Sequence, residues 1–399
     1  MSVENHTAQP VEPRTNGAGL SASGAAPRLG VEEEFLLLDP GSGRPLPRAA
    51  QVRRRSRLYP GLGADEVQHE LLQAQLEIAT PVCTTLPELH GQLSRMRGTL
   101  SEAAQDEGCV LAACAASPFP DGAVAVPVTD KPRYRHLHDE APLLTDEQLI
   151  NGLHVHVEVR DDGARIEALN RMRPWLPLLV ALSASSPLWR GRDTGFASWR
   201  HMVNGRWPVA GIPPRFQDPD DYERRTRELV DRGMVADIGQ MYWLARASAR
   251  YPTLEVRACD VQVAAEDAVV LAGLVRAQVM TVLAEAEAGR KAPVAEPEQL
   301  DAAVWHAARH GLTGDLHDPH DLRPRPAADV VNDALDRLGP ALDRSGDQSI
   351  VRPALERMVR DGNGAVVLRR TLAAQGWPAV LPYLRTRTRG SLDHVSRTP

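Results

Sequence analysis

Four stretches of this sequence set an alternating apolar row against a row of acids, imidazoles or arginine. Successive strand side chains point to opposite faces, so residues two apart share a side. In VEEEF, Glu32 and Glu34 share one side, while Val31, Glu33 and Phe35 take the other. In LLQAQLEIA, Gln73, Gln75 and Glu77 oppose Leu72, Ala74, Leu76 and Ile78. In LHVHVEV, His154, His156 and Glu158 oppose Leu153, Val155, Val157 and Val159; in TLEVR, Glu255 and Arg257 oppose Leu254 and Val256. Any one of these reads first as a solvated strand edge. Four together describe a sheet with one face for a helical layer and another dense in carboxylates and imidazoles. Carboxylates gathered on one surface repel each other unless cations sit between them. Hard divalent ions with oxygen ligands are the natural solution, and magnesium keeps room for phosphate oxygens. Phosphoryl chemistry needs such ions where no P-loop lysine is at hand.

The elements that must carry these residues follow from pattern and punctuation. A strand spans Leu29 to Leu38 and stops at Asp39-Pro40-Gly41. Alternation from Leu72 halts at Pro81, and helical spacing then runs from Leu86 to Glu107, ending before Gly108. Cys109 to Ala116 is a small-residue apolar run that fits a buried strand. LHVHVEV closes on Asp161-Asp162-Gly163, and helical periodicity follows from Ile166 to Leu182. A loop-rich stretch from Ser185 to Pro219 leads to an amphipathic helix, Asp220 to Arg232, and then to the strand TLEVRA. A long helix over Ala264 to Ala288 and further helical segments reach Ala373. With neither repeat nor mid-chain linker, residues 28–385 read as a single α+β catalytic domain. Residues 1–27, rich in Gly, Ala, Ser and Pro, read as a disordered N-terminal segment, and 386–399 as a flexible tail.

Composition narrows the function classes. A formal net charge of -6 gives no basic footprint for nucleic acid. The N-terminus lacks the apolar region of a secretory signal. The most apolar internal run, Trp175 to Leu188, holds Pro177 and Pro187 and is short for a bilayer. Cys83, Cys109, Cys114 and Cys259 form no C-x-x-C pair, and four thiols are few for a disulfide framework in 399 residues. The expectation is a cytoplasmic protein acting on small molecules, with no nucleic-acid or membrane partner; homo-oligomerisation stays open. Lysine occurs only at Lys131 and Lys291. Codon bias is the main reading of that, but arginine also suits phosphate and carboxylate oxygens.

Longer motifs, in order, add a resemblance: GVEEEF, ELLQAQLEIATPVC, NGLHVHVEV, ALSASSPLWRGRDTGFASWR, TLEVRACD and WHAARHGL. From Leu29 to Arg385 the chain resembles the bacterial carboxylate–amine ligases, the type-2 glutamate–cysteine ligases, which are similar to glutamine synthetase. The resemblance implies a curved antiparallel sheet with a polar concave active-site face and helices packed on the other. It implies ATP and Mg2+ as cofactors, and a carboxylate and an amine as substrates, by family default glutamate and cysteine, joined with ATP to gamma-glutamylcysteine, ADP and phosphate. ATP phosphorylates the carboxylate, and the amine then displaces phosphate to leave an amide. By motif position, Glu32 and Glu34 match the magnesium-binding E-x-E pair, and Glu77 a carboxylate that binds metal or substrate amine. His154 matches a histidine near phosphates and metal, Glu255 a further metal ligand, and Arg257 a stabiliser of the transferring phosphoryl group. His156 and Glu158 are left with supporting roles.

Several readings stay open. Arg192, Asp193 and Arg200 in GRDTGFASWR suit a phosphate-contacting cover, or a structural loop pinned by Trp189 and Trp199. Arg133 and Arg135 bind a substrate carboxylate or face solvent. Trp305, Arg309 and His310 read as core packing or a helix-end contact. Relatives tend to read W-D-x-R-P-S where this chain has Trp243 to Ser248 as WLARAS, and Ala302, Ala303 and His306 also depart from the pattern. These departures leave donor and acceptor specificity open. Three rival functions remain: a zinc or iron hydrolase using the His154/His156 pair, which needs three or four ligands, a non-catalytic binding protein, and a guanidine-phosphorylating kinase.

Overall fold

The computed structural model describes residues 25–63, 65–120 and 125–390. Its strands, in chain order, are β1 (Leu29–Leu38), β2 (Val67–His69), β3 (Gln75–Ala79), β4 (Val110–Ala112), β5 (Gly152–Glu158), β6 (Leu188–Trp189), β7 (Arg192–Asp193), β8 (Ala245–Ala247), β9 (Thr253–Asp260), β10 (Asp315–His317) and β11 (Pro324–Pro326). The main sheet runs β2-β3-β1-β5-β9-β8, with β4 beside the end of β1, and every pairing in it is antiparallel. The sheet is open, and β6–β7 and β10–β11 are separate two-stranded units.

The apolar rows all lie on one side. Val31, Phe35, Leu76, Ile78, Leu153, Val155, Val157, Leu254 and Val256 are buried in one core with the helices Leu86–Asp106 and Ala265–Glu287. Thr85 starts the first of these helices, its side chain accepting from the Glu88 backbone N–H, while Glu88 reaches back to the Thr84 N–H. The second is the one helix among the described residues long and apolar enough to cross a bilayer, but 89% of that stretch is buried in the protein. It is a core helix, and its apolar run is longer than the one at Trp175, which divides into a 3-10 turn and the helix Leu176–Ser183. All four cysteines are free thiols and buried.

Two boundaries differ from expectation. The last helix runs from Val380 to Arg389, beyond Arg385. It continues because Thr388 is fully buried and accepts the Ala113 backbone N–H at 2.9 Å, tying the helix to the end of β4. At the other end, the Pro27 carbonyl accepts from the buried Arg276, so order begins before Leu29. Residues 1–24 and 391–399, where flexible ends are expected, lie outside the described residues.

Glu33 is the exception within the apolar face. Alternation puts it there, and it is fully buried. Arg97, from the helix Leu86–Asp106, meets it with two hydrogen bonds, 2.8 and 2.5 Å, and spends its other N–H groups on the Gln262 and Val263 carbonyls. A buried carboxylate gripped by a fork-shaped partner that is itself held by two backbone carbonyls is a structural pair.

Candidate active site

Sheet register brings the polar rows together. Glu34 stands directly opposite Glu77, Glu32 opposite His154, His156 opposite Glu255, and Glu255 opposite Arg246. Like charges directly across a strand pair are destabilising in themselves, so the Glu34–Glu77 juxtaposition calls for a further cation. The β5–β9 register slips between Leu153 and Val155, placing an extra residue on β9 beside Arg257. Such bulges re-aim side chains, and Arg257 here turns onto Glu255, 2.5 Å away, and His154 Nδ1, 3.4 Å away.

Three sets of ligand-capable atoms result, each gathered within 4.8 Å: Glu32, Glu77 and His154; Glu32, His156 and Glu255; Glu34, Glu70 and Glu77. Glu32 and Glu77 each serve in two sets, so the sets form one continuous acidic wall. None holds both histidines, and an H-x-H zinc pair is therefore not assembled. The donors are carboxylate oxygens with one imidazole at most, the set that hard divalent ions prefer. His156 fits the same picture. Its Nδ1 contacts Thr253 Oγ1 at 3.0 Å, while Nε2 is buried without a hydrogen bond, 3.4 Å from Glu32.

The electrostatics are those of buried carboxylates set against one another. Burial, then the charges of Glu32, Glu70 and Glu34, push the Glu77 carboxyl well above its ordinary range, against Arg257. No protein group hydrogen-bonds to Glu77 among the described residues. Burial and Glu34 raise Glu70 to about 7. Burial also opposes charge on Glu32, but the imidazoles of His154 and His156 prevail and hold its carboxyl low. Burial and Arg257 push His154 below the usual imidazole value. It is then neutral at pH 7, with Nδ1 3.1 Å from Glu32 and 3.4 Å from Arg257, and Nε2 3.8 Å from Glu34. Glu255 is buried, yet Arg257 and Arg246 bring it down to about 2.

Two cavities flank this wall and share Glu32, Glu77 and Arg246. One, about 570 Å3, has Tyr251, Pro81 and Val82 among its lining, with His156 and Glu255. The other, about 230 Å3, is lined by Glu34, Glu70, His154 and the arginines Arg133, Arg200, Arg246 and Arg257. Most of these arginines are already engaged: Arg246 binds Glu255 at 2.8 and 3.0 Å, Arg257 binds Glu255, and Arg133 binds Asp237. Arg200 is different. Its nearest carboxylate is Asp260 at 3.9 Å, and its Nε is buried without a partner.

Arg200 reaches the cavity because the segment before it is moored to the end of β9. Asp260, fully buried, accepts from the Ser185 N–H and the hydroxyls of Ser186 and Ser198 at 2.7–2.9 Å. A Cβ at Gly152 would collide with the Arg200 guanidinium, so the start of β5 must be glycine for the arginine to pass. Gly152 also donates its N–H to Glu34.

Arg192 is not brought here. It is exposed on the β6–β7 hairpin, outside both cavities. Bonds from Arg369 to Asp193 and from Arg309 to the Gly195 carbonyl anchor that hairpin, so its contacts are structural. Trp305 meets Phe196 edge-on, 5.5 Å between centroids, in the same packing. Arg135 is paired with Asp130 at the surface, and Glu158 is held by Arg28 and Arg160, whose contacts lower it to about 2. Three contributors carry no mark in the sequence pattern. Glu70 sits in the link between β2 and β3, Arg246 on a strand of three residues, and Asp260 just past the TLEVRA alternation.

An acidic wall between two cavities, on the open face of an antiparallel sheet, marks this face of the α+β fold as the candidate site. The chain belongs to glutamate-cysteine ligase family 2, whose model matches residues 28–397. It is 43% identical over 345 residues to a "Putative glutamate--cysteine ligase 2-2" of Mycobacterium sp. (strain KMS), covering 86% of this chain and 93% of that one. It is 40% identical over 379 residues to a "Putative glutamate--cysteine ligase 2" of Salinispora arenicola, covering 94% and 98%. Among solved structures, a glutamate–cysteine ligase from Francisella tularensis in complex with AMP shares the fold at a TM-score of 0.70 and 12% identity, covering 92% of this chain and 90% of that one.

Proposed function

We propose that the chain is an ATP- and magnesium-dependent carboxylate–amine ligase, with glutamate as the donor by family default. The observation that carries this is the acidic wall: three overlapping ligand sets built on Glu32 and Glu77 between two cavities. Glu32, Glu34, Glu70, Glu77, His154 and Glu255 would hold the divalent ions, which supply neutralising charge for phosphoryl transfer when bound. The cavity beside Tyr251 and His156 receives the nucleotide, and the arginine-lined cavity the carboxylate donor. A donor oxygen bonds to the γ-phosphorus as the bond to the β-phosphate oxygen breaks and ADP leaves. The amine nitrogen then bonds to the acyl carbon, the carbon–oxygen bond breaks, phosphate leaves, and the surplus proton passes to solvent.

The chain's own part is charge management. Arg200, the least committed cavity arginine, meets the anionic donor, and Arg257 stays with Glu255 and His154, steadying the wall while charge migrates. Arg192 has no part in this. A cytoplasmic setting suits the four unpaired cysteines. The test is ADP release over pairs of amino acids and amines, with the product weighed by mass spectrometry. An amide product with stoichiometric ADP supports the reading. A phosphorylated acceptor, or turnover without ATP, replaces it with one of the rival activities.

A further inference from the structure

We propose that His306, His310 and His317 form a second metal site, one that takes a divalent transition ion such as zinc or nickel. It lies outside both cavities of the acidic wall and does not rest on the ligase reading. The helix Pro297–His310 carries His306 and His310 one turn apart on the same face, the spacing at which a helix offers two imidazoles to one ion. Arg309, between them in sequence, turns away to the Gly195 carbonyl. Gly311 ends the helix with a φ of 55°, and Thr313 closes the turn with its N–H and hydroxyl on the His310 carbonyl, at 3.1 and 2.7 Å. A Cβ at Gly314 would stand 3.1 Å from the His310 Cβ, so glycine lets the chain double back beside that ring. β10 follows, with Leu316 buried and Asp315 and His317 on the other side.

The result is one imidazole flanked by two. The His306 ring centroid is 5.9 Å from that of His310 and 5.5 Å from that of His317. Imidazoles that share one ion through nitrogens about 2.1 Å from it have centroids roughly 5–6 Å apart. None of the three side chains makes a hydrogen bond or an ion pair among the described residues, so their nitrogens are uncommitted. These nitrogens are not gathered within 4.8 Å like the ligand atoms of the acidic wall, and closing on an ion takes rotation about side-chain bonds. His306 is exposed and the other two are half-buried, which leaves room for it. The donors select the ion: neutral imidazole suits zinc, nickel and copper, whereas carboxylate oxygen suits magnesium. Asp315 brings a negative charge to the same side of β10. An ion held there ties the end of the helix to the β10–β11 hairpin. The clamp is close to the segment that leads to Arg200, because the Ala308 carbonyl accepts the Ala197 and Ser198 N–H groups at 2.8 and 2.9 Å.

The experiment is equilibrium dialysis of the full chain, without a histidine tag, against Zn2+ or Ni2+ in excess Mg2+, with bound metal counted by mass spectrometry. The wild type should bind one ion more than the triple variant His306→Ala, His310→Ala, His317→Ala. Each single alanine variant should weaken that ion at least about tenfold, the loss that even an outer-shell partner causes, with circular dichroism unchanged. Trp305 meets the His306 ring edge-on at 5.4 Å. Ni2+ should therefore quench its fluorescence, and Trp305→Phe should remove the quench without weakening the binding. If the wild type and the triple variant bind equal amounts of both ions, the metal sits only on the acidic wall and the inference falls, with the ligase reading untouched. Binding that survives His317→Ala overturns it too, since the helix pair alone would then account for the ion.

Discussion

Strand β1 carries three consecutive glutamates, and its two faces treat them in opposite ways. On the helical side, Glu33 is fully buried and matched by Arg97 in a two-bond fork. On the open side, Glu32 and Glu34 each share a ligand set with Glu77, and Glu77 has no hydrogen-bonding partner among the described residues. Both faces hold carboxylates away from water, and only one supplies a full counter-charge from the chain. The difference teaches where to look for function: at the carboxylates whose compensation has been left to something that binds.

The sharpest way to break that comparison is to neutralise one glutamate on each face. Glu34→Gln or Glu77→Gln should lower ADP release by roughly 10^3-fold or more, because the metal wall loses a ligand worth several kcal/mol in the transition state. Circular dichroism and Tm should stay near wild type, since Glu77→Gln removes repulsion as well as a ligand. Wild-type turnover by both variants would end the site assignment. On the other face the expectation reverses. Arg97→Ala strands Glu33 in the core and should cost about 3–5 kcal/mol in chemical denaturation, with activity per folded molecule preserved. A Glu33→Met, Arg97→Leu double variant should recover much of that loss, because it removes both charges together. If Arg97→Ala were as stable as wild type, the structural reading of the pair would be wrong.

The two faces also differ in how far the sequence discloses them. Period-two alternation survives in β1, β5 and β9, so the sequence pattern alone puts Glu32, Glu34, His154, Glu255 and Arg257 on one face. Alternation puts Glu33 on the other face too, but no local pattern points to Arg97, 64 residues away on a helix. Glu70 and Arg246 escape for another reason: an irregular link between strands and a three-residue strand are too short to carry a period. Arg192 and Arg200 show the limit of composition. They share one arginine-rich motif, yet Asp260 and Gly152 draw the second into the cavity while Arg369 and Arg309 anchor the hairpin that leaves the first outside. Residue type suggests both; only long-range contacts separate them.

Magnesium titration sharpens the contrast further. A ligand that binds the folded chain at 100 times its Kd stabilises it by about 2.7 kcal/mol. Saturating Mg2+ should therefore raise the wild-type Tm by a few degrees, measured by scanning calorimetry. Glu77→Gln should lose most of that rise, since Glu77 serves two of the three ligand sets. Arg97→Leu, on the opposite face, should keep it. An equal Mg2+ response in all three proteins would mean the ion binds elsewhere.

The smallest effect tests a third way of burying a titratable group, which is to keep it uncharged. His201 is 6% exposed and follows Arg200 directly. Burial, then the Arg200 charge, push its pKa down to about 3. An unfolded histidine takes its proton near the ordinary value of about 6.5, so between there and 3 the unfolded state binds one proton more than the native state. Stability from this residue is complete above about 6.5 and is lost as pH falls, at about 1.4 kcal/mol per pH unit. At pH 5 the loss reaches about 2 kcal/mol. His201→Phe should therefore flatten the fall in denaturant midpoint between pH 7 and pH 5 relative to wild type, whatever it does at pH 7. An unchanged slope would mean that His201 is protonated in the native state, with its charge accommodated beside Arg200 after all. The rule drawn from β1, that buried charge needs a partner, would then have an exception next to Arg200, whose nearest carboxylate is 3.9 Å away.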